Sequence, residues 1–465
     1  PGFFRSETDP FELESLGIFG EMYWDINDTL KLTVGLRYTE DEKFVADRQI
    51  FLNVPVAVDV ATGTTTFLGS DGSATPVTTM DQLINAAAAA GDYDSNPNLP
   101  GGQAFREDDI SFEEVTGRIV LDWTPDVDFT DETLVYFSFS RGYKGGGINP
   151  PIDTTLFPNT PTSFDPEEID AYEIGTKNTF WDRRAQLNAS VFYYDYTGLQ
   201  IGKIINRTSL NENTDADIFG AEVEVLLQPT ENWQFNAQVS YLDTELGETE
   251  TIDPRDPTQG RQDVTLVKDF VDASNCVVEW NGQVPFSQNP VARALLGGAY
   301  IPTGEDLAAY GVPGTVIPTT PNVPDSAFSS CAGVRAVAGA LGYNYLDSVG
   351  VNLKGNELLS APKFTASLGA QYTWFMDRGM SLTARMDYYW QDEFYSTTFN
   401  SPQDMYDSWD VINAQVQLNG PEDRWFARAL VQNLGDEDNF TGTTQGDPST
   451  GLGTRLFLIE PRLYG

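Results

Sequence analysis

Histidine is missing from this chain altogether, and cysteine occurs only at Cys276 and Cys331. The first absence removes the usual general base and the commonest metal ligand. The two cysteines stand outside any Cys-x-x-Cys spacing, so they offer no redox or thiolate-metal motif. Neighbouring carboxylates such as Asp108 and Asp109, or Glu113 and Glu114, point to opposite faces of a strand and cannot work as a glycosidase pair. The sequence reads as a non-enzyme, with no cofactor and no metal site. Positive charge is scarce: 27 Lys and Arg against 69 Asp and Glu leave a formal net charge of -42. Such a chain repels phosphate backbones, which excludes nucleic acid as a partner. No run of eighteen apolar residues occurs, so no helix of this chain crosses a membrane. Pro1-Gly2-Phe3-Phe4-Arg5 has no secretory leader pattern, and the expectation is a chain that begins inside a longer precursor.

Aromatics and glycine are abundant: 20 Tyr, 28 Phe, 9 Trp and 41 Gly. They fall into a strict apolar/polar alternation that recurs along the chain. Leu30, Leu32, Val34, Leu36 and Tyr38 interleave with Lys31, Thr33, Gly35, Arg37 and Thr39. Trp233, Phe235, Ala237, Val239 and Tyr241 do the same with Gln234, Asn236, Gln238 and Ser240. Successive strand side chains point to opposite faces, so each such segment is a strand with one apolar and one wet side. About thirteen strands are expected, near 15–26, 30–44, 110–124, 132–144, 167–181, 185–203, 217–228, 233–246, 361–374, 380–396, 408–419, 425–436 and 455–465.

The connections alternate too. Asn27-Asp28, Pro125-Asp126, Asp182-Arg183, Pro229 to Asn232, Asp377 to Gly379 and Gly420 to Asp423 are short turns. The others, near 45–109, 145–166, 204–216, 247–360, 397–407 and 437–454, are long, and Ala86–Ala90 is their one helix candidate. Short turns at one end and long loops at the other characterise outer-membrane barrels, not soluble sandwiches. Backbone groups left unpaired in hydrocarbon cost several kcal/mol, so a sheet there must close on itself. The uncharged row should face lipid, and the row with Arg37, Gln238 and Arg385 the lumen. Glu222 and Glu224 belong to that lumen row. Tyr23, Trp24, Trp123, Trp181, Trp233, Trp374 and Trp425 lie at the short-turn ends and fit an interfacial aromatic belt. Acidic residues crowd the long loops as a solvated outer surface. Cys276 and Cys331 share one long loop and form a candidate disulfide, which sequence alone leaves open.

Several segments resemble, in order, the barrel of TonB-dependent receptors. They are Ser138-Phe139-Ser140-Arg141-Gly142-Tyr143-Lys144-Gly145-Gly146-Gly147-Ile148-Asn149, Tyr172 to Lys177, Ser190 to Tyr196, Gly220 to Glu224, Val431 to Asp436 and Glu460 to Gly465. The resemblance covers nearly the whole chain, residues 1–465, outside the long loops. It implies an all-β fold: an antiparallel transmembrane outer-membrane β-barrel, here about thirteen strands of a roughly 22-stranded, plugged barrel. Members have a TonB-box and a globular plug before the barrel, and neither is visible before Pro1; with about thirteen strands here and about nine missing, this part should not close a complete barrel. The implied activity is energy-coupled uptake of a scarce nutrient such as a ferric siderophore across the bacterial outer membrane. Coupling to the TonB complex would pass only through the missing N-terminal region, and outer-membrane lipid would be the other partner. A plug-free passive channel, or a structural surface barrel, is the alternative. Arg141, Tyr143, Lys144, Gly145, Gly146 and Gly147 are the candidate ligand-binding residues: two cations that would attract an anionic ligand, beside glycines that let a backbone or ligand approach closely. A family-wide structural turn is the competing account of the same residues.

Overall fold

Alternation in the sequence becomes register in space. The computed structural model describes residues 3–52, 56–59, 64–69, 71–90, 103–151, 161–205, 208–253, 255–268, 275–289, 331, 334–335, 338–445 and 454–465. Its main element is an antiparallel sheet of 13 strands in chain order. These are β1 (Phe3–Asn27), β2 (Leu30–Leu52), β3 (Gln103–Trp123), β4 (Glu132–Lys144), β5 (Glu167–Phe180), β6 (Ala185–Ile205) and β7 (Thr208–Leu227). They continue as β8 (Trp233–Leu246), β9 (Phe364–Met376), β10 (Met380–Gln391), β11 (Trp409–Asn419), β12 (Phe426–Gln432) and β13 (Leu463–Tyr464). Each strand pairs with its chain neighbours, and β1 and β13 are the two ends of the order. The described sheet is therefore open.

The pairings carry one apolar row around the sheet. Leu121, Phe137, Ile174, Val191 and Ala221 occupy successive partner positions on β3 to β7. Val223, Val239, Ala366 and Trp390 continue it on β7 to β10. Phe137, Ile174, Val191, Val223 and Val239 are all exposed. A soluble sheet does not leave such a row to water, whereas a strand that crosses hydrocarbon must present it. Trp24, Trp123, Trp181, Trp233, Trp374 and Trp425, at the short-turn ends, are likewise exposed, as an interfacial belt requires. Tyr23 instead donates to Glu21 on the opposite face. That face carries the polar ladder, with Arg118 donating to Glu21 at 2.7 Å, Arg385 pairing with Asp387 at 2.5 Å and Asn188 donating to Glu224 at 3.1 Å.

Several boundaries differ from expectation. The segment near 45–109 is not loop throughout, because β2 runs on to Leu52 and β3 starts at Gln103, paired from Lys43↔Ile110 to Ile50↔Gln103. Most of 204–216 is likewise strand, with Leu199↔Thr214 through Ile205↔Thr208 in register. A crossing needs only about 9–11 residues, so these hairpins stand well above the bilayer. There both faces meet water and the apolar row is no longer required. That is why alternation in the sequence ended before the strands did. The expected last strand, 455–465, is also divided. Thr454–Leu458 pairs with Phe440–Gln445, and only Leu463–Tyr464 joins β12. Pro461 lies between, and proline cannot donate to a ladder.

Candidate functional site

Every long connection leaves the sheet at the same edge, and the described parts of these connections build an ordered outer assembly. After β2 come a three-stranded patch, Val56–Asp59, Thr64–Leu68 and Ala74–Val77, and the helix Met80–Ala90, which includes the expected Ala86–Ala90. Between β8 and β9, Val264–Lys268, Asn275–Glu279 and Asn344–Leu346 form a second small sheet. Val267, Cys276, Val278, Phe286, Cys331, Val334, Ala338 and Tyr343 bury against one another beneath it, with Trp280 alongside. Cys276 and Cys331 are bonded, 5.8 Å apart at Cα and 55 residues apart in sequence. This connection thus carries its own apolar core.

The Arg141 to Gly147 segment sits where strands give way to this assembly. Arg141 stands one pair beyond Phe139↔Tyr172 on the lipid-facing row, directly across from Asp170. Its Nε donates to Asp170 Oδ1 at 2.6 Å. Asp195 and Asp217 follow on the same row, so these charges mark the outer limit of the apolar band. Lys144 pairs with Glu167 at 3.2 Å, and the Tyr143 hydroxyl donates to Asp41 at 3.2 Å. Gly146 and Gly147 are buried. A Cβ on Gly146 would come within 2.4 Å of the Phe164 carbonyl and 2.7 Å of Phe112; one on Gly147 would meet the Phe164 ring at 2.5 Å. Gly145 accepts at 3.2 Å from Gln200. The structure therefore brings Tyr143, near the end of β4, and the three glycines that follow together at the outer edge of the sheet and leaves Arg141 on its outward face. The polar groups of this segment have partners within the chain.

The anchor of the segment is a residue the sequence did not flag. Asn149 is 1% exposed; it donates to the carbonyls of Pro161 and Asn211 at 3.0 and 2.8 Å and accepts from Asn211 N–H at 2.8 Å. Asn213 similarly ties Asp165 to Gly198, donating to their carbonyls at 2.9 and 2.7 Å. Asn149 closes the segment that carries the family resemblance, but a lone asparagine in a loop gives no periodic signal that would mark it as an anchor.

A third cluster was also unforeseen. Arg255 reaches across from the β8–β9 connection to the β10–β11 connection. Its Nη2 donates to Asp404 Oδ2 at 2.8 Å and to Asp253 Oδ2 at 3.1 Å, and its Nη1 donates to Asp404 Oδ1. Asp404 also accepts from Thr397 at 2.7 Å, and the guanidinium lies over the Phe399 ring at 5.7 Å. Both carboxylates are almost fully buried. Burial opposes charge on Arg255 and Asp404, but their mutual hydrogen bonds prevail. They hold the guanidinium above, and the carboxyl below, their ordinary values.

Comparison with known proteins places this geometry. The family model described as TonB dependent receptor-like, beta-barrel, matches residues 2–322. A probable TonB-dependent siderophore receptor, PiuA of Acinetobacter baumannii, is 32% identical over 120 residues, 25% of this chain and 16% of that protein. Among solved structures, the ferric yersiniabactin uptake receptor FyuA from Yersinia pestis aligns with a TM-score of 0.55 at 15% identity, over 99% of this chain and 46% of that one. The ferric-catecholate import receptor Fiu from E. coli K12 aligns at 0.49 and 12% identity, over 98% and 44%. The chain spans less than half the length of either solved relative.

Proposed function

Because this chain belongs to the TonB-dependent receptor β-barrel family, whose members are outer-membrane transporters and not enzymes, we propose that its parent protein takes up a bulky nutrient, most simply a ferric siderophore, by energy-coupled transport. The observation that carries this reading is the ordered outer assembly. A passive pore needs an open mouth and little else. Here the connection between Leu246 and Phe364 has its own disulfide and core, and loops of such length with built structure are usually functional. In this reading Tyr143, Lys144, Gly145, Gly146 and Gly147 support the ligand side of the mouth, with Arg141 bracing the sheet beneath them. Outer-membrane lipid contacts the apolar row, and the TonB complex acts through a part of the parent protein outside these residues. The test is accumulation of radiolabelled ferric siderophore by cells expressing the parent gene. Accumulation that stops when the energy-coupling system is deleted is the expected result; uptake indifferent to that deletion would favour a plug-free channel.

The charge of the mouth narrows the ligand. Around it, Arg106, Lys144, Arg255, Arg261, Arg335 and Lys363 each pair with a carboxylate of the same chain, within a sequence that has 69 acidic residues to 27 basic. The field that remains repels anions. Neutral or cationic ferric chelates should bind at least ~10-fold tighter than polyanionic ones of equal size at low salt. The gap should narrow above about 0.3 M salt, where screening is short-ranged. A binding series at two salt concentrations checks this. A polyanionic chelate that binds best, and loses affinity as salt is added, would refute it.

A further inference from the structure

The Arg255 cluster is one end of a seam. Asn356 donates to the Thr398 carbonyl at 2.8 Å, Glu357 N–H donates to Asn400 Oδ1 at 2.6 Å, and Asn400 Nδ2 returns a bond to the Glu357 carbonyl at 3.0 Å. Ser360 N–H reaches the Tyr395 carbonyl at 2.8 Å. Val349 N–H donates to the Pro257 carbonyl at 2.8 Å, and Thr251 pairs with Val351 in a short ladder. Beneath the seam Leu246 and Leu353 bury against Ile201 and Ala216, with Leu358 and Phe399 packed on them. Three stretches far apart in sequence, 244–263, 344–360 and 391–409, thus share backbone bonds, a buried charge cluster and an apolar base. Surface ion pairs contribute little, but this one is buried, and removing its cation would strand two carboxylates away from water.

We propose that the Asp253–Arg255–Asp404 cluster, which joins 244–263 to 391–409, and the bonds that tie 344–360 to both weld the three stretches into one cooperative body, so that this wall of the mouth keeps its shape or opens as a unit. Arg255 is then a positioning residue: it touches no transported ligand in this account but fixes the surface that would. The functional consequence rests on the uptake reading above; the weld itself does not. Interlocked groups of this kind open together with a single free energy, whereas independent loops each open with their own.

Hydrogen exchange on the full-length parent protein in lipid nanodiscs tests the weld. In the unaltered protein, amides protected by the seam in 244–263, 344–360 and 391–409 should exchange at a common rate. Arg255→Met should speed all three by ~100-fold or more and leave the membrane strands unchanged. Arg255→Lys should fall between, since an ammonium cannot bridge both carboxylates as a guanidinium does. Asn400→Gly guards against misfolding of the first variant. It removes all three side-chain bonds, two to Glu357 and one to the Thr397 carbonyl, without stranding a charge and suits the positive φ of 50° at this position, and it should also loosen all three stretches. Different rates in the unaltered protein, or release by Arg255→Met of its own stretch alone, would overturn the proposal. In parallel, the ligand dissociation constant of Arg255→Lys should rise while maximal uptake rate holds. If exchange is coupled but affinity does not move, the weld stands and the reading of this wall as ligand-binding fails.

Discussion

Val223→Arg should prevent stable insertion of this sheet, whereas Gln238→Arg, one residue off its cross-strand partner, should be tolerated. Val223 pairs with Val239, and Gln238 pairs with Glu224; the two pairs lie on opposite faces. Val223 is 43% exposed on the apolar row, between the tryptophans of the short-turn side and the outer aromatics Tyr193 and Phe219. A guanidinium there meets hydrocarbon and costs roughly 2–4 kcal/mol at midplane depth. At Gln238 it meets water and the Glu224 carboxylate. Equilibrium unfolding of the parent barrel in lipid vesicles, with urea as denaturant, reads the difference directly. Equal losses for both variants would mean that the assignment of faces is wrong.

Replacing both cysteines, Cys276→Ala with Cys331→Ala, should have the other large effect, and a local one. The bond closes a loop with a sequence separation of 55, for which the chain-entropy relation gives about 4 kcal/mol of stabilisation as an upper figure. A core as small as the one around Val278, Phe286 and Tyr343 has little reserve. The unit should therefore become open to protease, while the sheet, held by pairing in the bilayer, keeps its cold detergent resistance. Limited proteolysis of intact cells, followed by gel mobility of the barrel without heating, separates the two. Protease resistance in the double variant would show that the apolar core suffices without the bond.

The sequence was legible wherever the bilayer had imposed a pattern. Thirteen strands, the two faces of the membrane-crossing segments and the six short turns followed from period-two alternation, because hydrocarbon tolerates one row and water the other; Tyr23, expected in the belt beside Trp24, is the exception, since neighbours on a strand face opposite ways. The pairing of strands across the short turns followed as well, since antiparallel neighbours joined by two to eight residues have no other place to go. Above the bilayer that constraint lapses. The upper halves of β2 and β3 carry Asp47, Arg106 and Asp108, and nothing in their order says strand; only partner strands already in register extended them. The split at Pro461 was present in the sequence but overshadowed by the apolar residues on either side.

The outer assembly depended on contacts between residues far apart in the chain. Arg255 and Asp404 are separated by 149 positions, Asn149 and Asn211 by 62. No local propensity connects them, because a buried hydrogen bond is selected by where its partner ends up and not by its own neighbours. Composition and alternation were sufficient for an outer-membrane barrel with an acidic surface. Tertiary structure alone paired Arg141 with Asp170, closed Gly146 and Gly147 against Phe164 and Phe112, and set one arginine between two buried carboxylates. Membrane burial writes a repeating signal on every strand it touches, whereas a loop seam is made once, by side chains that meet only after the strands have brought their ends together.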